Sequence, residues 1–172
     1  MFIDLPRARI FFDVVGSQLA PSGPAMVEKP TFIVLHGGPG YDHSTLRPYF
    51  DRFADTHQVV YLDHRGNGRS TGEMADLNLD RWADDIADFC NALGIVKPAV
   101  LGQSFGGMVA MHYGARHPNG PAKLVLSSTA GSFFASQRNF GAGKPTIARQ
   151  PTSPAKSATA ASISAHSAAA RP

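Results

Sequence analysis

Along the first 130 residues, short and nearly uninterrupted apolar runs alternate with longer stretches in which apolar residues return every three or four positions. FIVL at 32–35, VVYL at 59–62, AVL at 99–101 and LVL at 124–126 have no polar face, the pattern of strands covered on both sides in a parallel sheet. The runs predict strands over 9–15, 31–35, 58–62, 99–101 and 123–127, with 45–54, 78–93 and 105–117 as crossover helices. In the second of these helices Leu79, Trp82, Ile86, Phe89 and Leu93 form one face. Asn78 is placed to cap its start, and Gly94 and Pro98 close it. Asp80, Asp84, Asp85 and Asp88 are assigned mostly to its solvated side, which explains the acidic group without a metal. The alternation predicts an α/β fold, doubly wound, with a mostly parallel sheet and flanking helices.

After residue 130 the pattern stops. Of the 42 residues from 131 to 172, 25 are Ala, Ser, Pro or Gly, and Phe133, Phe134, Phe140 and Ile147 follow no strand or helix period. Such a segment has too little side chain to offset about 1–2 kcal/mol per residue of backbone ordering, so disorder is expected. An Ala-rich helix over 155–170 would be marginal alone. The chain therefore divides into a domain over 1–130 and a low-complexity tail over 131–172. The formal charge of +3 follows the same division: the first part carries 11 basic and 13 acidic residues, the tail 5 basic and none acidic. Five scattered charges without interleaved aromatic residues do not make a nucleic-acid site, and none is expected.

No stretch reaches the roughly 18 apolar residues of a membrane span, and Asp4, Arg7, Arg9 and Asp13 interrupt the N-terminal segment where a signal peptide would be apolar. The expected compartment is the cytoplasm, with no membrane partner. Cys90 is the single cysteine, which excludes an internal disulfide and argues against a cysteine metal site. It reads as a small buried hydrophobe. No cofactor and no metal are expected.

The chemistry is concentrated at three glycine-rich turns, each following an apolar run. Gly102-Gln103-Ser104-Phe105-Gly106 fits GxSxG, in which glycines two residues either side of a serine permit a cramped strand-to-helix turn. That turn raises the serine hydroxyl at the carboxyl edge of a sheet, beside the Phe105 amide at a helix start. His36-Gly37-Gly38-Pro39-Gly40 follows the run 32–35, and Gly37 or Gly38 could supply a second oxyanion donor, each donor worth roughly 3–4 kcal/mol in a transition state. Asp63-His64-Arg65-Gly66-Asn67-Gly68-Arg69-Ser70 bends near the same end of the sheet. Arg65 there reads either as a substrate contact or as an ion pair to Asp63 or another loop acid, and not as catalytic.

HGGPG at 36–40, DHRGNGRS at 63–70 and GQSFGG at 102–107, in this order, resemble the leading motifs of the proline iminopeptidase-like branch of the α/β-hydrolase superfamily. The resemblance covers about residues 8–130 and implies a truncated α/β-hydrolase core. It implies Ser104 as nucleophile, Phe105 with Gly37 or Gly38 as oxyanion amides, and hydrolysis of a small peptide or ester substrate, classically with release of an N-terminal proline.

A serine nucleophile needs a base and an orienting carboxylate, and the family order is Ser, then Asp or Glu, then His. No Asp or Glu occurs after Asp88. His112 lies eight residues beyond Ser104, about 12 Å along a helix at about 1.5 Å per residue, and His117 lies farther. His166 has no local acid. His36, His43 and His64, with Asp42 or Asp63, precede the serine and would depart from the family order. By the resemblance, a helical cap and the later strands with the triad Asp and His would follow 124–127. The change of text near 131 is what a shifted reading frame or a truncated gene produces. A sheet left open at 124–126 is expected to self-associate or take a complementing chain.

Overall fold

The computed structural model describes residues 1–75 and 77–130. The tail, with the disorder and the 155–170 helix considered for it, lies outside the described residues. The strands are β1 (Phe2–Leu5), β2 (Ala8–Val15), β3 (Leu19–Ser22), β4 (Ala25–Glu28), β5 (Thr31–Leu35), β6 (Gln58–Leu62), β7 (Thr71–Gly72), β8 (Ala99–Gln103) and β9 (Lys123–Ser127). The helices are α1 (Leu79–Leu93) and α2 (Phe105–Arg116).

Seven strands form one sheet in the order β1-β2-β6-β5-β8-β9, with β7 beside β2. β6, β5, β8 and β9 run parallel in register Thr31↔Gln58, Phe32↔Ala99 and Ala99↔Lys123. β2 closes onto β6 antiparallel, pairing Phe12 with Leu62. β5 is central and all five of its residues are buried, as its unbroken apolar run requires. Ile33, Leu35, Val60, Leu62 and Val100 face Ala83, Ile86 and Phe89 of α1 and Val109, Ala110 and Tyr113 of α2. Phe32, Val34, Val59, Tyr61 and Leu101 form the other face with Leu46 and Phe50.

The α/β class and the parallel centre agree with the sequence pattern, and several elements differ in detail. The stretch 45–54 is not one helix but two single 3₁₀ turns, His43–Thr45 and Asp51–Phe53. Pro48 lies between them, where it removes a backbone donor and steers Arg47 away from helical geometry. β1, β3, β4 and β7 are short antiparallel strands that the apolar runs did not mark.

In α1 the Asn78 side chain accepts from Arg81 N at 3.0 Å and Gly94 adopts the left-handed cap at φ +66°. Asp85 is a correction: it is buried, not solvated, because Arg65 meets it inside. Cys90 is buried, and burial pushes its thiol up to about 11.

Candidate active site

β8 runs directly into Ser104, which takes φ +52° and ψ −115°, an uncommon backbone for a residue with a side chain. α2 starts at the next residue. The glycines make this turn sterically possible. A Cβ on Gly106 would sit 2.5 Å from Leu35 O and 2.6 Å from His36 O, and one on Gly102 would sit 2.5 Å from Gly106 C. The helix start therefore lies directly on the backbone ends of β5 and β8.

Four bonds fix the serine backbone. Ser104 N donates to Ser127 O at 2.9 Å, and Ser104 O accepts from Gly107 N at 3.0 Å, from Met108 N at 3.4 Å and from Thr129 Oγ1 at 2.7 Å. The hydroxyl makes no cap bond to the helix. The Phe105 amide, the first of α2, donates to no protein acceptor among the described residues.

The HGGPG loop comes to the same point. A Cβ on Gly37 would lie 3.3 Å from Ser104 Cβ and collide with the Gln103 side-chain amide, so Gly37 packs against the serine. Gly38 follows at φ +92°, folded against Tyr41. Its amide likewise has no protein acceptor among the described residues. Gly40 N donates to Asn67 Oδ1 at 2.5 Å, which ties this loop to the 63–70 loop.

Beneath the glycines two buried imidazoles face each other, with ring centroids 4.6 Å apart. His64 N donates to His36 Nε2 at 3.2 Å, His36 Nδ1 bonds Gly37 O at 2.7 Å, and His64 Nε2 bonds His36 O at 3.3 Å. Burial holds His36 below and His64 well below the ordinary imidazole value.

The 63–70 loop is held by hydrogen bonds from both sides. Asp63 accepts from His43 N at 2.9 Å, His43 Nδ1 at 2.8 Å and Arg69 N at 3.0 Å. Arg65 pairs not with Asp63 or another loop acid but with Asp85 of α1, Nε to Oδ2 at 2.9 Å and Nη2 to Oδ1 at 2.5 Å. Arg65 O accepts from Trp82 Nε1 at 3.0 Å.

That contact places Trp82 in the wall of an apolar pocket of about 440 Å³, with Pro39, Leu79, Phe105 and Met108, opening on Ser104. The Phe105 and Trp82 rings meet edge to face at 4.9 Å. The sequence pattern assigned Leu79 and Trp82 simply to the packed helix face; only the position of the serine turn beside α1 shows that this face also lines a cavity.

Two further histidines, on α2 and at its end, have acidic partners away from the serine. His112 Nδ1 bonds Asp80 Oδ1 at 2.7 Å, and His117 Nε2 bonds Asp84 Oδ1 at 2.9 Å. His166 lies outside the described residues. Among the described residues no histidine hydrogen-bonds the Ser104 hydroxyl, no group of three His, Cys, Asp or Glu could hold a metal, and no helix is long and apolar enough to cross a membrane.

A strained serine between glycines at the junction of a parallel strand and a helix defines an α/β-hydrolase-type turn. The model of the alpha/beta hydrolase fold family matches residues 30–170, and the chain belongs to that family. Within it the similarity points to the proline iminopeptidase-like branch. The chain is 35% identical over 108 residues to a proline iminopeptidase of Clostridioides difficile (strain 630), covering 60% of this chain and 36% of that protein. It is 35% identical over 121 residues to a proline iminopeptidase of Xylella fastidiosa, covering 69% and 35%.

Among solved structures, a proline iminopeptidase-related protein from Thermus thermophilus superposes with TM-score 0.64 at 28% identity, over 75% of this chain and 44% of that one. A thermophilic esterase from Thermogutta terrifontis shares the fold at TM-score 0.65 and 23% identity, over 76% and 46%. The chain thus matches only about 36% of the length of its curated relatives.

Proposed function

We propose that this chain carries the nucleophile portion of a proline iminopeptidase-like serine hydrolase. Ser104 is the nucleophile, and the amides of Phe105 and of Gly37 or Gly38 receive the developing oxyanion. The observation that carries the reading is the Ser104 turn itself: a strained serine backbone held by four hydrogen bonds, with Gly37 packed on its Cβ and the Phe105 amide left open. Strain of this kind persists where the surroundings over-determine it.

In the reaction, Oγ adds to the carbonyl carbon of a peptide or ester, and the carbonyl oxygen becomes the oxyanion. The tetrahedral intermediate expels the amine or alcohol, leaving an acyl group on Oγ that water later removes. The apolar pocket beside Ser104 suits the methylene face of a compact acyl group such as a prolyl ring. The serine proton and the leaving-group proton pass through a base, and the described residues bring none to Oγ. Acylation by a highly activated reagent is therefore expected to outpace turnover of an amide. A fluorophosphonate, which transfers a phosphonyl group to Oγ with loss of fluoride, tests the reading: labelling should be time-dependent and vanish in Ser104→Ala.

A second reading rests on β9, an edge strand among the described residues, whose Leu124, Val125 and Leu126 remain 37%, 45% and 45% exposed. In it the chain binds a complementing chain or a second copy along that edge, and concentration-dependent sedimentation distinguishes it from a solitary monomer.

A further inference from the structure

Among the described residues β9 ends the sheet, and its pairing with β8 shows which of its groups face outward. Ser127 O accepts from Ser104 N, so Ser127 turns its N–H and C=O toward β8. Backbone groups alternate along a strand. Val125 and Lys123 therefore face β8 as Ser127 does, and the N–H and C=O of Leu124 and Leu126 lie on the open side.

The side chains divide in the same way. A Cβ on Gly114 would sit 2.7 Å from Leu124 Cδ1, so Leu124 lies on the α2 face, Leu126 shares it, and Val125 projects from the other face. Beside Leu124 an apolar groove of about 500 Å³ runs between α2 and β9, lined by Met111, Gly114, Ala115 and Pro118. None of residues 105–115 is Lys, Arg, Asp or Glu, so α2 brings no charge to it. β9 carries one charge, Lys123, at its first position. The middle of the strand thus lacks the charge that normally keeps an edge from pairing.

We infer that the partner of this edge is a second copy of the chain, joined β9 to β9 antiparallel about a two-fold axis at Val125. The inference names the partner for the β9 reading above and rests on that reading. In this register the strand is complementary to itself. Leu124 falls opposite Leu126 of the second copy, and the two exchange main-chain bonds because both carry outward-facing groups; the axis repeats the exchange. Val125 meets its own copy at a position without such bonds, where Cα atoms stand about 4.5 Å apart. Lys123 falls opposite Ser127, so no like charges meet. On the α2 face the paired leucines border the groove, and on the other face the two valines meet. A slip of one residue would set outward groups against inward ones, and no ladder would form. The pairing also bears on the serine, because Ser127 O and Thr129 Oγ1 at the end of β9 hold the Ser104 backbone.

The test combines sedimentation of the full chain over a concentration series with oxidative cross-linking of variants checked for native melting. Wild type should pass from monomer to dimer as concentration rises. Val125→Cys should then link to its own copy, since disulfide-bonded residues have Cα atoms about 4.4–6.8 Å apart. Lys123→Cys would lie about 14 Å from its own copy at about 3.4 Å per residue, and should link at least about tenfold more slowly. Wild type, whose one cysteine is the buried Cys90, serves as the blank.

A dimer in which Lys123→Cys links as fast as Val125→Cys overturns the two-fold register and leaves edge association standing. A chain that stays monomeric at every concentration overturns the second copy. In that monomer, slow hydrogen exchange at the Leu124 and Leu126 amides assigns the edge to the chain's own residues 131–172, and fast exchange there removes the edge reading as well.

Discussion

Replacing Asp85 by alanine removes the partner of a guanidinium that is almost wholly buried. The side chains of Arg65 and Asp85 are 1% and 4% exposed and joined by two parallel bonds. Without the carboxylate, Arg65 keeps only carbonyl acceptors: Arg7 O at 3.1 Å, Glu73 O at 3.4 Å and Pro6 O at 3.3 Å. Breaking a buried pair in this way costs about 3–5 kcal/mol, against a total of about 5–15 kcal/mol for a domain. Burial raises the Asp85 pKa despite the Arg65 bonds, so desolvation opposes the pair even when it is intact.

The double variant Arg65→Met, Asp85→Leu is therefore expected to recover much of the loss. Urea unfolding followed by the single tryptophan measures both variants, since Trp82 Nε1 bonds Arg65 O and its ring walls the pocket at Ser104. An Asp85→Ala loss below about 1 kcal/mol, no larger than that of exposed Asp55→Ala, would refute the reasoning.

Two further outcomes are expected. Because burial holds His36 below and His64 well below the ordinary 6.5, the unfolded chain takes up protons that the folded chain refuses as pH falls through 6.5. Their contribution to stability is complete above that pH and declines beneath it, by up to about 1.4 kcal/mol per pH unit for each ring. Urea midpoints at about pH 7 and pH 5.5 check this, and a midpoint that rises on acidification contradicts it. On β9, Val125→Lys should shift sedimentation toward monomer if the edge is used for association; unchanged, concentration-independent sedimentation of both proteins removes the second reading.

The parallel centre was legible because strands buried on both faces must be apolar throughout, as β5 is, and because a serine turn this tight leaves its glycines in the sequence at 102, 106 and 107. The Arg65–Asp85 pair was not. A carboxylate on an amphipathic helix reads as solvated, and only a fold that brings a loop arginine 20 positions away onto α1 makes it interior. β1, β3, β4 and β7 were missed for a related reason: strands of two to four residues owe their existence to partners, such as Phe2 opposite Phe11, rather than to their own periodicity. The wall of the site was half legible. Leu79 and Trp82 were recognised as one face, but a cavity is a property of what α1 and the serine turn leave between them.

Whether Ser104 is an assembled nucleophile is decided by intact-mass and peptide-mapping measurement of the full chain after incubation with a fluorophosphonate. One adduct per chain is expected, located on the peptide containing Ser104 and absent from folded Ser104→Ala. Equal labelling of the two proteins, or a folded wild type that remains unmodified at Ser104, would rule the nucleophile assignment out.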